Sequence, residues 1–348
     1  MKRRLALILT GLLVLFVLAG CAGPIVVVEQ PEAVPEIPEQ LPAGALKTGL
    51  AILPNISKSV SATAEAGGKA EYDVTIVAVT VDDNGVIRSC VIDSIGASSE
   101  FTAEGIPVEP GTVEVKSKNE LGFDYGMVAY KASAIGKEWF EQAAALAAYA
   151  EGKTLEQVKA GIAGGYASDA DLATSASIYL GGYVSGMEAA VANAKALGAE
   201  AEDELKLAVS ASLDASAAQE AGGMAQLNVD AAALTVQGQT ITSCTIDSLQ
   251  AVVDYDGTGT ITTDISTMPR TKNQLGFDYG MVAYKASGIG REWFEQTEYF
   301  CTYITGKTFA EVAGIAVTES TAPAAADLAA GTTIAIGGFQ KLIAKAAQ

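Results

Sequence analysis

Two short segments carry side-chain hydroxyls in the same pattern and are the first candidates for chemistry. They read DLATSASIYLGGY, beginning at Asp171, and DLAAGTTIAIGGF, beginning at Asp327. In each, an aspartate precedes a run of small residues with side-chain hydroxyls, which are Thr174, Ser175 and Ser177 in the first segment and Thr332 and Thr333 in the second. An alcohol is a poor nucleophile at neutral pH unless a base activates it. The chain of 348 residues contains no histidine, so these hydroxyls cannot readily be activated from within.

The residue types that are missing exclude several kinds of redox site. Without histidine the chain lacks the commonest general base, the usual axial ligand of haem and the commonest transition-metal ligand. Its four cysteines are Cys21, Cys90, Cys244 and Cys301, and they form no CxxC pair. This spacing argues against a zinc ribbon, an iron–sulfur cluster and attached haem. Redox chemistry would therefore need an organic cofactor.

A block of 25 residues occurs twice, over 118–142 and 272–296. The first copy reads KNELGFDYGMVAYKASAIGKEWFEQ, and the second differs from it only at positions 274, 288 and 291. The same offset of 154 residues relates SCVIDS at Ser89 to SCTIDS at Ser243. Tandem duplication explains this self-similarity. Because the neighbouring sequence has diverged further, some constraint acts on the block.

Two interpretations of the block remain open. In the first, its glycines and aromatic residues form a tightly packed loop and helix start that organise the core. In the second, the block is one wall of a pocket for a planar ligand. The flat surface would then come from Tyr125, Trp139, Tyr279 and Trp293, and the positive charge from Lys118, Lys131, Lys137, Lys272, Lys285 and Arg291. Nothing in the sequence indicates the raised pKa that Asp124 and Glu138 would need as a carboxylate pair for glycoside hydrolysis.

Cys90 and Cys244 occupy matching places in the two copies. The isoleucine and valine residues around them predict that each is a small buried residue of a strand. A disulfide between the two is the alternative, since an oxidising exterior would permit it.

The local patterns predict an α+β fold with strands before helices in each copy. Runs rich in β-branched residues surround turns at 84–85 and 237–238, which predicts one β-hairpin per copy. A helix with apolar residues at helical spacing should end each block. Thr154 and Thr308 match capping boxes that begin a second, shorter helix. Each hydroxyl segment should form a short strand that leads through a Gly-Gly pair into a final helix.

The N-terminus predicts export and lipid anchoring. The sequence MKRRLALILTGLLVLFVLAGC has a basic start and an apolar stretch, and its LAGC ending resembles a bacterial lipobox. This implies cleavage before Cys21 and acylation of that cysteine, for example by palmitate; a retained transmembrane helix is the alternative. The residues that follow are rich in proline and glutamate, which predicts an extended tether. The expected organisation is a signal peptide over 1–20, a lipidated tether over 21–46, a first domain over 47–198, an acidic linker over 197–204 and a second domain over 205–348.

The hydroxyl segments resemble the FMN-binding domain family whose members are flavinylated on a D-x-x-[ST]-G-A-[ST] signature. The resemblance implies that an FAD-dependent FMN transferase joins the phosphate of FMN to Ser177 and Thr333, which gives two covalent FMN sites. The chain departs from the signature at Ser175, where the family has glycine, and at Ala330 and Thr332 in the second segment. The matching signature residues are Asp171, Thr174, Asp327 and Gly331.

The lipobox, the tether, the two copies and the block together resemble the lipoproteins of flavin-based extracellular electron transfer that are also peptide-pheromone precursors. This resemblance covers almost the whole chain. It implies a carrier, not an enzyme with its own substrate pocket, on the extracytoplasmic face of the cell membrane. Such a carrier would take electrons from a membrane NADH dehydrogenase or its quinone and pass them to external acceptors. The four aromatic residues named above would support the flavin, and Lys118, Lys131, Lys272 and Lys285 would stabilise its reduced, anionic form.

The overall charge is consistent with an exported carrier. The formal net charge is −19, so the body of the protein should repel nucleic acid and anionic membrane surfaces. Two alternatives belong to different classes: a solute-binding lipoprotein that serves a transporter, and a structural protein of the cell envelope without a ligand.

Overall fold

The computed structural model describes residues 45–217 and 222–347. The predicted signal peptide, Cys21 and the tether up to residue 44 lie outside these residues. The described residues have the α+β fold with antiparallel sheets that the sequence predicts. The strands are β1 Ala45–Asn55, β2 Gly68–Val81, β3 Ile87–Phe101, β4 Gly111–Val115, β5 Ile162–Ala163, β6 Tyr166–Ala167, β7 Lys195–Glu200, β8 Glu204–Ala217, β9 Gly223–Gln237 and β10 Thr240–Tyr255. The α-helices are α1 Lys118–Leu121, α2 Trp139–Ala150, α3 Leu155–Ala160, α4 Ala170–Ala173, α5 Gly181–Ala192, α6 Lys272–Leu275, α7 Trp293–Ile304, α8 Phe309–Ala313, α9 Ala326–Ala329 and α10 Gly337–Ala346.

Eight of these strands form two antiparallel sheets of four, in the orders β3-β2-β1-β7 and β10-β9-β8-β4. The predicted hairpins are confirmed as β2–β3 and β9–β10, and they are the longest paired segments of their sheets. The predicted capping boxes are also confirmed. The side chains of Thr154 and Thr308 accept from the backbone of Gln157 and Glu311, and each of those side chains accepts in return from the threonine N–H.

The two sheets pack face to face, and the longer helices cover their outer faces. Residues of β2 alternate accordingly: Val74 and Ile76 lie between the sheets, whereas Val77 and Val79 lie under helices. Helices α2 and α5 cover the first sheet, and α7 and α10 cover the second. Both faces of β2 are buried from Ile76 to Val81, and its sequence there, IVAVTV, is a nearly continuous apolar run.

The two sheets are completed by segments that the sequence analysis did not assign to them. Strand β4, from the first copy, pairs with β8 of the second sheet, with Val113 opposite Leu213. Strand β7 pairs with β1 of the first sheet. The expected linker over 197–204 is therefore wrong: residues 197–200 are strand, and only a short turn separates them from β8. In this strand Ala199 is fully buried and Glu200 is exposed, and both pair with β1, which satisfies their backbone groups. Strand β1 also begins at Ala45, two residues inside the range expected for the tether.

Cys90 and Cys244 are buried, as predicted. They belong to different core clusters, one under the helices of each sheet, so the two sheets lie between them. The alternative of a disulfide between Cys90 and Cys244 is therefore wrong for this fold.

The contact between the two sheets includes a stacked pair of rings at equivalent places in the two copies. Phe101 and Tyr255 have ring centroids 3.8 Å apart and an interplanar angle of 9°. Phe101 is fully buried.

We expect Phe101→Ala to lower the free energy of unfolding by about 3 to 5 kcal/mol, because it removes a buried ring and leaves a cavity. Urea denaturation measures this, with Phe123→Ala as control because the Phe123 ring is 74% exposed. A loss as small as that of the control would contradict the prediction.

Candidate functional site

The beginning of each block is anchored to a strand by the aspartate of the SCVIDS or SCTIDS motif. One carboxylate oxygen of Asp93 accepts hydrogen bonds from the backbone N–H groups of Ser94 and Asn119. The Asn119 side chain donates to the carbonyl of Ile92. Asp247, Ser248, Asn273 and Ile246 make the same contacts in the second copy. The two repeated motifs, distant in sequence, therefore form one structural unit in each copy.

Burial raises the pKa of Asp93 and of Asp247 to about 6, although the hydrogen bonds to their carboxylates act in the opposite direction. Between about pH 4 and pH 6 the folded protein therefore holds protons that the unfolded chain releases. The free energy of unfolding should fall as the pH rises through this range and level off above it, by on the order of 2 to 3 kcal/mol per aspartate.

Asp93→Asn tests this pH dependence, because asparagine keeps the acceptor oxygen but does not titrate. Urea unfolding gives the free energy of unfolding of both proteins at each pH. We expect the difference, Asp93→Asn minus the original protein, to be more positive at pH 7 than at pH 4. A difference between the two proteins that stays constant over this range would contradict the assignment.

The middle of the block is held by a buried glutamate. The two carboxylate oxygens of Glu138 accept from the backbone N–H groups of Met127 and Val128, at 2.8 and 3.0 Å. Glu292 does the same for Met281 and Val282. Glu138 is 4% exposed. Because its oxygens bind backbone amides, it is a structural clamp, which removes it as one half of a carboxylate pair for hydrolysis.

The last residue of the block makes the most informative contact in the molecule. Gln142 is fully buried on α2, and its Oε1 accepts from the N–H of Ser177 at 2.8 Å, from the N–H of Ile178 at 3.2 Å and from the Ser177 hydroxyl at 3.2 Å. Its Nε2 donates to the carbonyl of Lys137 and to the Ser133 hydroxyl. One amide therefore ties the block to the hydroxyl segment.

The second copy has the same arrangement. Gln296 is fully buried on α7 and accepts from the Thr333 N–H at 2.8 Å, the Ile334 N–H at 3.2 Å and the Thr333 hydroxyl at 3.2 Å. Its Nε2 donates to the carbonyl of Arg291 and to the Ser287 hydroxyl. Ser177 is partly exposed and Thr333 is exposed. Both hydroxyls thus lie at the surface on a backbone that a buried side chain fixes.

These bonds explain why the hydroxyl segments are not strands, which corrects the expectation for them. The backbone N–H groups at 177–178 and 333–334 bind a glutamine side chain and not a neighbouring strand. The final helices α5 and α10 begin directly at the Gly-Gly pairs, at Gly181 and Gly337.

The aromatic and lysine candidates come together one helical turn from each glutamine. The ammonium nitrogen of Lys118 lies 5.1 Å from the ring centre of Tyr125 and 5.2 Å from that of Trp139. The corresponding distances from Lys272 to Tyr279 and Trp293 are 5.1 and 5.0 Å. The indole nitrogen of Trp139 donates to the Tyr183 hydroxyl, at the beginning of α5.

The exposure of these candidates differs. Trp139 and Trp293 are 2% and 5% exposed and pack in the cores under the helices, so their use as a flavin surface stays a prediction. Lys131 and Lys285 are exposed and have positive φ values of 57° and 58°. Lys118 and Lys272 therefore lie beside an indole at the start of each helix that carries a glutamine.

The other signature residues lie in the short helix and turn before each hydroxyl. Asp171 is exposed in the first turn of α4, and its carbonyl accepts from the Thr174 hydroxyl. In the second copy, the carbonyl of Asp327 accepts from the Tyr299 hydroxyl. Thr332 is fully buried, and its hydroxyl donates to the carbonyl of Gln296. Of the two threonines at 332 and 333, only Thr333 therefore presents an exposed side chain.

The difference between Ser175 and Gly331 has a physical cause. A Cβ atom at Gly331 would lie 2.3 Å from the ring of Tyr299. The first copy has Ala145 at the position of Tyr299, which leaves room for Ser175. Arg291, which replaces Lys137, lies 5.4 Å from the centre of the Tyr299 ring. The three positions that differ between the copies therefore lie together around the Tyr299 ring.

We expect Gly331→Ser to destabilise the protein by about 1 to 3 kcal/mol through this overlap. The double variant with Tyr299→Ala restores the pair found in the first copy, so it should be about as stable as Tyr299→Ala alone. A double-mutant cycle in urea measures the coupling between the two positions. Additive losses would show that the ring and the glycine are independent.

Two features of the site were not predicted. Gln142 and Gln296 belong to the identical residues of the block, but their partners lie 35 to 38 positions further along the chain. Tyr130 and Tyr284 are 83% and 82% exposed, although the sequence analysis did not single them out. A Cβ atom at Gly126 or Gly280 would lie about 3 Å from the respective tyrosine ring, at 3.0 and 2.8 Å, and both glycines have positive φ. The sequence signal that could have identified Gln142, Gln296, Tyr130 and Tyr284 is that the glutamine and the tyrosine are identical in both copies of the block.

Other features of the described residues give no second site. A cavity of about 550 Å³ is lined by residues 64–69, 100–103 and 108, none of which belongs to a block or a hydroxyl segment. Over residues 45–217 and 222–347, no group of three or more acidic or cysteine side chains is placed to hold a metal ion. Within the same ranges, none of the helices has the length and apolar character needed to cross a membrane.

In comparisons with protein-family models, curated proteins and solved structures, the chain matched none of them. A functional assignment therefore depends on the geometry and chemistry of the site itself.

Proposed function

We propose that the chain is a lipid-anchored extracytoplasmic flavoprotein with two FMN-binding domains in tandem. In this proposal FMN is esterified through its phosphate to Ser177 and to Thr333. The protein then relays electrons from a membrane dehydrogenase to external acceptors. The anchor is Cys21, in the lipobox at the N-terminus.

The observation that carries the proposal is the glutamine contact found in both copies. Each candidate acceptor hydroxyl is bound, at 3.2 Å, by a fully buried glutamine that also holds two backbone N–H groups of the same segment. The glutamine is identical in both copies, although the residue whose hydroxyl it binds is serine in one copy and threonine in the other. This arrangement fits an acceptor hydroxyl that a modifying enzyme reaches at a fixed position.

The residues of the chain fit an acceptor that is modified from outside. Ser177 is partly exposed and Thr333 is exposed, and the chain has no histidine to activate their hydroxyls. The activating base would therefore belong to an FAD-dependent FMN transferase. Covalent attachment also suits an exported protein, because a cofactor held at micromolar affinity, about −8 kcal/mol, would be lost to a dilute exterior.

The positive charge near each site suits an anionic cofactor. Lys118 and Lys272 lie over the aromatic rings of the helices that carry Gln142 and Gln296. In a chain of net charge −19, these are local exceptions that would attract a phosphate and stabilise added electrons. FMN would supply the redox chemistry, and the residues of the chain would bind and orient it.

The relay is tested with protein isolated from its own host. Membranes supplied with NADH should bleach the flavin absorbance of the protein, and a soluble ferric complex should restore it. Protein without NADH, and NADH without membranes, are the controls. A flavin that stays oxidised in the complete mixture would contradict the relay, although it would leave the covalent attachment untouched.

A further inference from the structure

Two buried thiols of the second copy lie close to bonding distance. The Sγ atoms of Cys244, on β10, and Cys301, on α7, are 3.0 Å apart. A disulfide bond is about 2.0 Å long, so a movement of about 1 Å would join them. The two residues are 3% and 4% exposed and lie in the core between the second sheet and its helices. This contact connects a sheet and a helix that are 57 residues apart in sequence.

The first copy offers no such pair. Cys90 occupies the position of Cys244, but the position of Cys301 is taken by Ala147. Both first-copy residues lie in the corresponding core under α2. The pair is therefore a feature of the second copy alone, and the first copy shows that alanine is accommodated at the helix position.

We propose that Cys244 and Cys301 form a disulfide bond that joins α7 to β10 when the chain folds in an oxidising environment. The reaction is thiol–disulfide exchange with a small or protein disulfide. The first thiolate attacks the external disulfide and releases one thiol, and the second thiolate then displaces the other. Two cysteine thiols and one external disulfide thus yield one internal disulfide and two external thiols.

The reaction belongs to folding and not to the finished protein. Desolvation by burial raises the pKa of the Cys244 thiol well above its ordinary value, and a thiol in apolar surroundings is inert. Exchange therefore occurs while α7 is still loosely packed. Once formed, the bond would restrict the unfolded chain and hold α7, the helix that carries Gln296. The proposal does not depend on the presence of a flavin.

Peptide mapping of the full chain from its own host tests the bond. The protein is denatured without reductant in the presence of iodoacetamide and is then digested with trypsin. We expect a disulfide-linked pair of peptides, residues 207–270 with 292–307, while Cys90 carries the alkyl label. A second sample is unfolded, reduced and refolded in a glutathione redox buffer, and it should regain the linked pair. Recovery of Cys244 and Cys301 mainly as alkylated free thiols in both samples would overturn the proposal.

Stability gives an independent measurement with a matched control. Reductant should shift the urea midpoint of the original protein downward and leave that of Cys301→Ala unchanged. Cys90→Ala should respond to reductant as the original protein does. An equal response of Cys301→Ala and the original protein would also overturn the bond.

Discussion

Ser177→Ala should remove one of two FMN groups from the protein, Thr333→Ala the other, and the double variant both. The phosphoester needs the side-chain oxygen at each position, so alanine leaves no acceptor. The fold should survive, because both backbone N–H groups of each segment keep their bonds to Gln142 or Gln296. The loss of one weak hydroxyl contact costs about 1 kcal/mol or less. Flavin fluorescence that stays with the denatured polypeptide measures the effect, with the transferase present in the producing host.

Neighbouring hydroxyls provide the controls for this experiment. Thr174→Val and Ser175→Ala remove the other serine and threonine hydroxyls of the first segment and should leave both flavins attached. Thr332 is buried and serves as a structural residue, so it is not a suitable control. Full fluorescence in the double variant at 177 and 333 would mean that FMN is attached elsewhere or is not attached through these oxygens.

Gln142→Ala should lower the FMN content at Ser177 at least tenfold and leave the content at Thr333 unchanged. Removing the side-chain amide of Gln142 leaves three hydrogen-bond donors and two hydrogen-bond acceptors without this partner. Each buried polar group left without a partner costs about 1 to 3 kcal/mol, and 1.4 kcal/mol corresponds to a factor of ten in rate. The hydroxyl segment then loses its fixed position. Gln296→Ala should show the reverse pattern, so each copy is the internal reference for the other. Mass spectrometry of the two modified peptides measures their ratio.

A matched variant separates positioning from general destabilisation. Gln340 is also a glutamine with hydrogen bonds to backbone carbonyls, those of Val312 and Ile315, but it does not bind the hydroxyl segment. Gln340→Ala should reduce stability and leave both flavins in place. If Gln340→Ala and Gln296→Ala lose the flavin at Thr333 equally, then Gln296 acts only through stability.

Much of the local structure could be predicted because it depends on local signals. The two hairpins follow from β-branched runs on either side of tight turns, and the capping boxes at Thr154 and Thr308 depend on side chains three residues apart. Pairing between distant segments could not be predicted in the same way. Strand β4 belongs to the second sheet because of its partner β8, about 100 residues further on. Residues 197–200, the first half of the expected linker, become a strand only because β1 lies beside them.

The candidate site shows the same division. The hydroxyls were predicted from the resemblance to a flavinylated family, and the lysines and aromatic residues from residue types and repetition. The role of Gln142 and Gln296 depends on a contact between a helix and a loop that no spacing rule describes. The same is true of Gly331, whose small size is explained only by the Tyr299 ring beside it. Identity between two copies showed that the glutamines are constrained, and only the fold supplied the reason.

The mass of the mature polypeptide from its own host is the most direct test of covalent flavinylation. We predict an acylated chain that carries two FMN groups, with the modified peptides containing Ser177 and Thr333. A chain that carries the lipid but no flavin, from cells in which the FMN transferase is active, would contradict it.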